Sequence, residues 1–179
     1  LMVPAPYNNP LPTQGDPRKL ALKGAQMGGY LPIDDLARLQ DLLSSWDKPA
    51  QVGLSFGISE EGKLVVSGQV SVPLTFICQR CLKPVTLSVE ARIKLAVVRS
   101  EEEAKNLPSW LDPWILAEDG VADLYPLVED ELLLSLPVVA CHPELCIDER
   151  LLSSGTPVKP KPEENPFQVL KQLKGSPKQ

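Results

Sequence analysis

Residues 64–97 read LVVSGQVSVPLTFICQRCLKPVTLSVEARIKLAV, and the fold turns on them. Val66, Val70, Val72, Leu74 and Phe76 share one parity with Leu64, while Ser67, Gln69, Ser71 and Thr75 hold the other. After Cys78-Gln79-Arg80-Cys81 the alternation resumes, with Val85, Leu87, Val89, Ala91, Ile93, Leu95 and Val97 on one side. Thr86, Ser88, Arg92 and Lys94 fall on the other side. A period of two is the signature of a half-buried strand. Upstream, Val52, Leu54, Phe56 and Ile58 alternate with Gly53, Ser55 and Gly57, and Ser59 to Lys63 supply a turn. The pattern predicts strands near 51–58, 64–77 and 84–98 in an antiparallel meander, apolar on one face and solvated on the other. Pro73 and Pro84 cannot donate to a ladder, so bulges or fraying are expected toward the cysteine end.

Helical periodicity flanks this meander. Ile33, Leu36, Leu39, Leu42 and Leu43 form one stripe behind Pro32, predicting a helix over 32–43. Shorter helices are expected over 16–23, closed by Gly24, and over 100–106, opened by Ser100. Leu107 to Asp119 reads as irregular or strand. Asp123 is placed to cap a helix through Leu136, with Leu124, Leu127, Val128 and Leu132 inward and Pro137 as its stop. The expected class is α+β: an antiparallel β-meander packed against a few α-helices, with a Cys/His cluster at the hairpin tip. Prolines crowd both ends. Residues 1–15 are expected to form a flexible arm, 16–152 a single domain, and 153–179 a flexible linker with a short amphipathic helix around Phe167, Val169, Leu170 and Leu173.

Four cysteines and the only histidine fall into two groups, Cys78-Gln79-Arg80-Cys81 and Cys141-His142-Pro143-Glu144-Leu145-Cys146. Thiolates and neutral imidazole suit a four-coordinate, borderline-soft ion, which predicts one structural zinc held by Cys78, Cys81, His142 and Cys146. Cys141 is the rival of His142 for the same role. A redox pair at Cys78 and Cys81 is the alternative chemistry, although the βαβ setting usual for such pairs is missing. Two unremarkable buried thiols would be the bland account.

Charge is segregated along the chain. Residues 78–99 carry Arg80, Lys83, Arg92, Lys94 and Arg99 against Glu90 alone, a net of +4. Residues 100–150 carry Lys105 and Arg150 against thirteen acidic side chains, a net of −11. Arg80, Lys83, Arg92 and Lys94 are therefore candidates for a phosphate-binding stripe. Phe56 and Phe76 take the core parity, so no base-stacking aromatic interleaves it. Glu129, Asp130 and Glu131 are consecutive on the 123–136 helix, so at least one faces outward, as a landing site for a basic protein such as a ribosomal protein. Each charged group reads equally as an ordinary solvated surface. No apolar run approaches the roughly 20 residues of a membrane span. There is no basic, then apolar, opening segment, and a cytoplasmic setting is expected. Neither a Gly-rich phosphate loop nor a nucleophile elbow is present.

Ile77-Cys78-Gln79-Arg80-Cys81-Leu82-Lys83-Pro84 is followed by Val128-Glu129-Asp130-Glu131-Leu132 and by Leu136-Pro137-Val138-Val139 before His142 and Cys146. Asn165-Pro166-Phe167-Gln168-Val169-Leu170 comes last. In this order the motifs resemble the YceD family, the bacterial large ribosomal RNA subunit accumulation proteins. The resemblance runs from about Asp16 to Lys174. It implies a cytoplasmic factor needed for synthesis, processing or stability of 23S ribosomal RNA, with no established catalytic activity. The implied partners are 23S ribosomal RNA or its precursor, without a membrane or a small-molecule substrate. In related sequences the second cluster takes the form Cys-x3-Cys; here His142-x3-Cys146 stands in that place. An enzyme acting on RNA, such as a nuclease, is the competing class, but it would need convergent carboxylates around Mg²⁺.

Overall fold

A computed structural model describes residues 7–116, 120–148 and 150 of the chain. In chain order its elements are strand β1 (Gln14–Gly15), helix α1 (Pro17–Leu22), strand β2 (Gln26–Leu31), a 3-10 turn (Ile33–Asp35) and helix α2 (Ala37–Gln40). Strands β3 (Ala50–Ile58), β4 (Leu64–Ile77) and β5 (Pro84–Val98) follow. Helix α3 (Glu101–Lys105), strands β6 (Asp112–Ile115) and β7 (Ala122–Asp123), and helix α4 (Leu124–Leu134) come last.

The alternation between 50 and 98 becomes the spine of an α+β fold. The main sheet has the order β2-β3-β4-β5-β6, antiparallel through β5 and parallel between β5 and β6. Val66, Val70, Val72, Leu74, Val89, Ala91 and Ile93 are buried on its inner face, against which α1 and α4 pack. Arg92 and Lys94 are exposed on the outer face. The register is the one the sequence predicts; a slip of one residue would have exchanged the two faces.

The prolines do not disturb it. Pairing runs unbroken from Val65↔Ala96 to Ile77↔Pro84. The Thr75 amide and carbonyl bond to Ser45 and Ser44, on the side of β4 that β3 has already left, since β3 pairing stops at Gln51↔Ser71. Pro73, two residues earlier, points its missing donor to that same vacated side. Pro84 opens β5, where a proline is tolerated.

Four expectations change. The stripe over 32–43 is not one helix: Leu36, at φ −114° and ψ 78°, separates the 3-10 turn from α2. Its apolar spacing survives in buried Ile33, Leu36 and Leu39, while Leu42 is exposed. The break has a long-range cause. The Glu129 carboxylate of α4 accepts from the Arg38 amide at 2.9 Å and the Leu39 amide at 3.1 Å, capping α2 from across the fold. Strand β2 was not anticipated, since Met27-Gly28-Gly29-Tyr30 lacks alternation. Third, residues 7–15 do not behave as a free arm. Leu11 is buried, its amide donates to the Tyr30 carbonyl, and β1 pairs with β7 through Gln14↔Asp123 and Gly15↔Ala122. An apolar anchor outweighs the local proline content there. Fourth, β6 adds a parallel edge to what is otherwise a meander, and near it Ala96 and Val98 are buried on the outer-face parity.

The shorter helices follow their caps. Asp16 accepts from the Lys19 amide at 3.1 Å at the start of α1, and Gly24, at φ 58°, closes that segment. Ser100 accepts from the Glu103 amide at 3.3 Å at the start of α3. The chain divides after Cys146, and the expected C-terminal amphipathic helix lies outside the described residues. Among the described residues no helix is long and apolar enough to cross a membrane.

Candidate metal centre and the basic sheet face

The β4–β5 hairpin outruns its neighbours. Beyond Ser71, among the described residues, the 44–45 segment alone pairs with the edge of β4 that β3 has left, so the end of the hairpin projects past β3 carrying Cys78 and Cys81 at its tip. The tip is a tight knuckle: the Cys78 amide donates to the Lys83 carbonyl at 2.9 Å, and the Leu82 amide donates back to the Cys78 carbonyl at 2.9 Å. Leu82 takes φ 58°, a left-handed conformation that costs a leucine about 1–3 kcal/mol. Its side chain is 76% exposed, so packing does not repay that cost. What the conformation achieves is to close the turn, bringing the Lys83 carbonyl back to the Cys78 amide.

The second half of the cluster comes from the segment after α4. Ser135 ends that helix with its amide on the Glu131 and Leu132 carbonyls, and Pro137 prevents continuation. The Ala140 carbonyl then accepts from the Gln79 amide at 2.9 Å, which fixes the loop beneath the knuckle. Cys78, Cys81, His142 and Cys146 each offer a ligand atom, all within 4.8 Å of one another. The Cys78 and Cys146 sulfurs are 3.7 Å apart, and the Cys81 sulfur is 3.5 Å from His142 Nδ1. Bonds of about 2.3 Å to sulfur and about 2.0–2.1 Å to nitrogen, at tetrahedral angles, require about 3.8 Å and 3.6 Å for these pairs. The set fits a tetrahedral ion. Cys141 lies outside the set, and geometry selects His142.

The surroundings supply the electrostatics. Burial works against the Cys78 thiolate, yet hydrogen bonds from the Cys81, His142 and Arg80 backbone and from the His142 side chain hold its pKa down to about 5. Burial, followed by the neighbouring Cys81 and Cys78, pushes Cys146 up to about 11. Clustered thiols resist joint ionisation until a cation arrives. Arg80 folds over this group. Its guanidinium donates to the His142 and Glu144 carbonyls, and its pKa is raised by its bond to Cys141 first, then by the charges of Cys146, Cys141 and Cys78. Three thiolates and one neutral imidazole around a divalent ion would leave one net negative charge, and Arg80 stands where it would balance it.

Arg80, half-exposed, turns its guanidinium toward the sulfur cluster and the 142–144 backbone and so stands apart from the rest of the basic stripe. Lys83, Arg92 and Lys94 are exposed, the last two on the outer sheet face opposite Gln69 and Ser67. Glu129 is likewise withdrawn from the acidic surface, at 7% exposure. Besides capping α2 it receives the Arg38 guanidinium, at 2.8 Å from Nε and 2.7 Å from the second nitrogen. Asp130 takes the same Arg38 at 2.7 Å. Glu131, held above the ordinary carboxyl pKa by burial and then by Asp112 and Asp130, remains half-exposed. Arg38 is the functional partner that sequence reading missed. It sits inside an apolar stripe, and only the long-range contact with α4 reveals its use.

Residues 66–174 match the family model described as "Large ribosomal RNA subunit accumulation protein YceD". A Haemophilus influenzae protein of that description is 33% identical over 168 residues, which is 92% of this chain and 96% of the relative. No solved structure matches the chain.

Proposed function

Because the chain belongs to the YceD family of large ribosomal RNA subunit accumulation proteins, we propose that it is a non-catalytic, cytoplasmic ribosome-biogenesis factor supporting 23S ribosomal RNA. In this reading the family match carries the biological role. It spans both cysteine-bearing segments and the basic strand, which supports looking for the role in these parts. Cys78, Cys81, His142 and Cys146 hold one structural zinc ion, with Arg80 balancing its charge. A closed set of four protein ligands leaves no open position for substrate, which favours a structural ion over a catalytic one. Convergence of four ligand atoms also favours metal over a redox pair at Cys78 and Cys81.

Lys83, Arg92 and Lys94 then meet ribosomal RNA phosphates. They lie on the hairpin tip and the outer sheet face, and binding through them releases counterions. Reversing Arg92 and Lys94 to Glu tests this with a 23S fragment in a salt titration. Affinity should fall steeply, and the salt slope should shrink by roughly one for each phosphate no longer neutralised. Unchanged binding with an unchanged slope would rule out the basic face as the RNA-binding surface.

A second surface has its own support. Burial, and then the neighbouring Asp112 and Asp130, raise the Glu131 carboxyl. A basic protein segment would relieve that repulsion, so Asp130 and Glu131 form the contact for a basic ribosomal protein. Glu131→Lys should weaken capture of such a protein while leaving RNA affinity unaltered.

A further inference from the structure

The outer sheet face has a stretch without side chains toward its β2 edge. Gly28 on β2 stands opposite Gly53 on β3, and the same cross-strand row continues through Gln69 to Arg92. The adjacent row runs Gln26, Ser55, Ser67 and Lys94. Glycine within a strand gives up side-chain packing and backbone entropy, and it marks a place where another group must approach closely. Here that group is an aromatic ring. A β-carbon on Gly28 would come within 2.2 Å of Tyr7 Cε1, and one on Gly53 within 3.1 Å of the Tyr7 oxygen. The Tyr7 amide donates to Gln51 Oε1 at 2.7 Å, pinning the residue to the sheet.

The ring is only partly covered. Beside it lies an opening of about 260 Å³ bounded by Tyr7, Gln26, Gly28, Gly53 and Ser55. That is below the roughly 300–1,000 Å³ of sites for drug-sized molecules, and suits one flat heterocycle. Its walls combine an aromatic ring, an amide and a hydroxyl, the groups that stack a base and bond its edge. Strands about 4.8 Å apart put Arg92 and Lys94 about 10 Å from the Gly53 and Ser55 positions, so phosphates flanking such a base would fall near both cations.

We propose that this face is a platform for single-stranded RNA, in which Tyr7 stacks an unpaired base and Arg92 and Lys94 hold neighbouring phosphates. The proposal rests on the phosphate-binding reading of the basic face and gives it a preference for unpaired strands. It also supplies the aromatic that β3, β4 and β5 lack on this face, from a residue outside them. A phosphate stripe alone would accept duplex and single strand alike. A stacking residue discriminates, because bases inside a duplex offer no free face.

The test compares a short unstructured RNA oligonucleotide with a fully paired RNA duplex of equal length, using the full chain. Tyr7→Ala should weaken single-strand binding about 5- to 100-fold, the range that base stacking supplies, and leave duplex binding within about twofold. Tyr7→Phe should retain single-strand affinity. Oligonucleotide carrying 5-iodouridine should photocrosslink to Tyr7. Equal single-strand binding by wild type and Tyr7→Ala, with Arg92→Glu/Lys94→Glu still abolishing it, would overturn the platform and leave the phosphate reading intact. If neither variant changed binding, both readings would fall. An equal loss on both probes, with a lowered melting temperature and no crosslink, would make Tyr7 a structural peg and overturn the proposal.

Discussion

The two ends of the β4–β5 hairpin share one ladder and are held by different forces. At the base, Val66, Val70, Ala91 and Ile93 are buried between neighbouring strands and helices. Toward the tip Leu74, Phe76, Cys78 and Val85 are still buried, but Ile77, Leu82, Val138, Val139 and Leu145 are exposed, and among the described residues the backbone of the arm bonds outside itself to the 44–45 segment and the loop after α4. A two-stranded ribbon is marginal by itself in water. The base relies on hydrophobic burial throughout, whereas the knuckle beyond Phe76 has much less of it to draw on, and the Cys78/Cys81/His142/Cys146 cluster is what the structure places there. The lesson is that the two ends of a single strand pair can rest on different supports, packing at one and, with an ion bound, coordination at the other, so the two ends should fail separately.

The largest test of that separation is Cys146→Ser. It should abolish stoichiometric metal binding and strip hydrogen-exchange protection from residues 76–86 and 138–146. Amides of the β3–β4–β5 base should keep theirs. Uniform loss across the sheet would show that the ends are one cooperative unit.

Glu129→Ala attacks a buried hydrogen-bonded contact outside the Cys/His cluster. The Arg38 and Leu39 amides lose their acceptor, Leu39 within the core, and stability should fall by about 2–3 kcal/mol. Metal content should stay unchanged. Thermal and denaturant melts beside elemental analysis would read both outcomes.

How far these parts were legible in the sequence follows the same division. The base strands and their register could be read because each position's face depends on a local period of two. The ligand set was legible because chemistry limits which side chains bind a soft ion. Other features depended on contacts far along the chain. Gly28 and Gly29 look like strand breakers, yet they lie where Tyr7 and the Pro10–Leu11 backbone press on β2. The helix expected over 32–43 is interrupted at Leu36, and α2 is capped by a carboxylate 91 residues from Arg38. Arg80 looks like a surface cation until the 142–146 loop folds against it. Side chains whose partners are remote carry no local signal.

Acidity sharpens the contrast further. Cys146, near 11 without a metal, is protonated at neutral pH, so ion binding must release its proton. Apparent affinity should then fall by at least about tenfold for each unit of pH lost between 8 and 6. Competition with a chromophoric chelator measures the slope, and a flat profile would exclude Cys146 as a ligand.

The smallest effect belongs to Glu131. Its folded-state pKa is raised, so its contribution to stability is present below the ordinary carboxyl range and disappears as pH rises through the raised value. At neutral pH the charge is a liability. Glu131→Gln should stabilise the fold by no more than ~0.5 kcal/mol, with the gain vanishing in acid. A loss of stability at pH 7 would reverse the sign assigned to that carboxylate.

Closure of the hairpin tip by coordination depends on the ion itself. Elemental analysis of chelator-free, full-length protein addresses it directly, alongside Cys78→Ser and Cys141→Ser variants. The account predicts one zinc per chain in wild type and in Cys141→Ser, and none retained stoichiometrically in Cys78→Ser. Less than about a tenth of an equivalent in wild type, below what a structural site holds, would contradict it, as would dependence on Cys141 in place of Cys78.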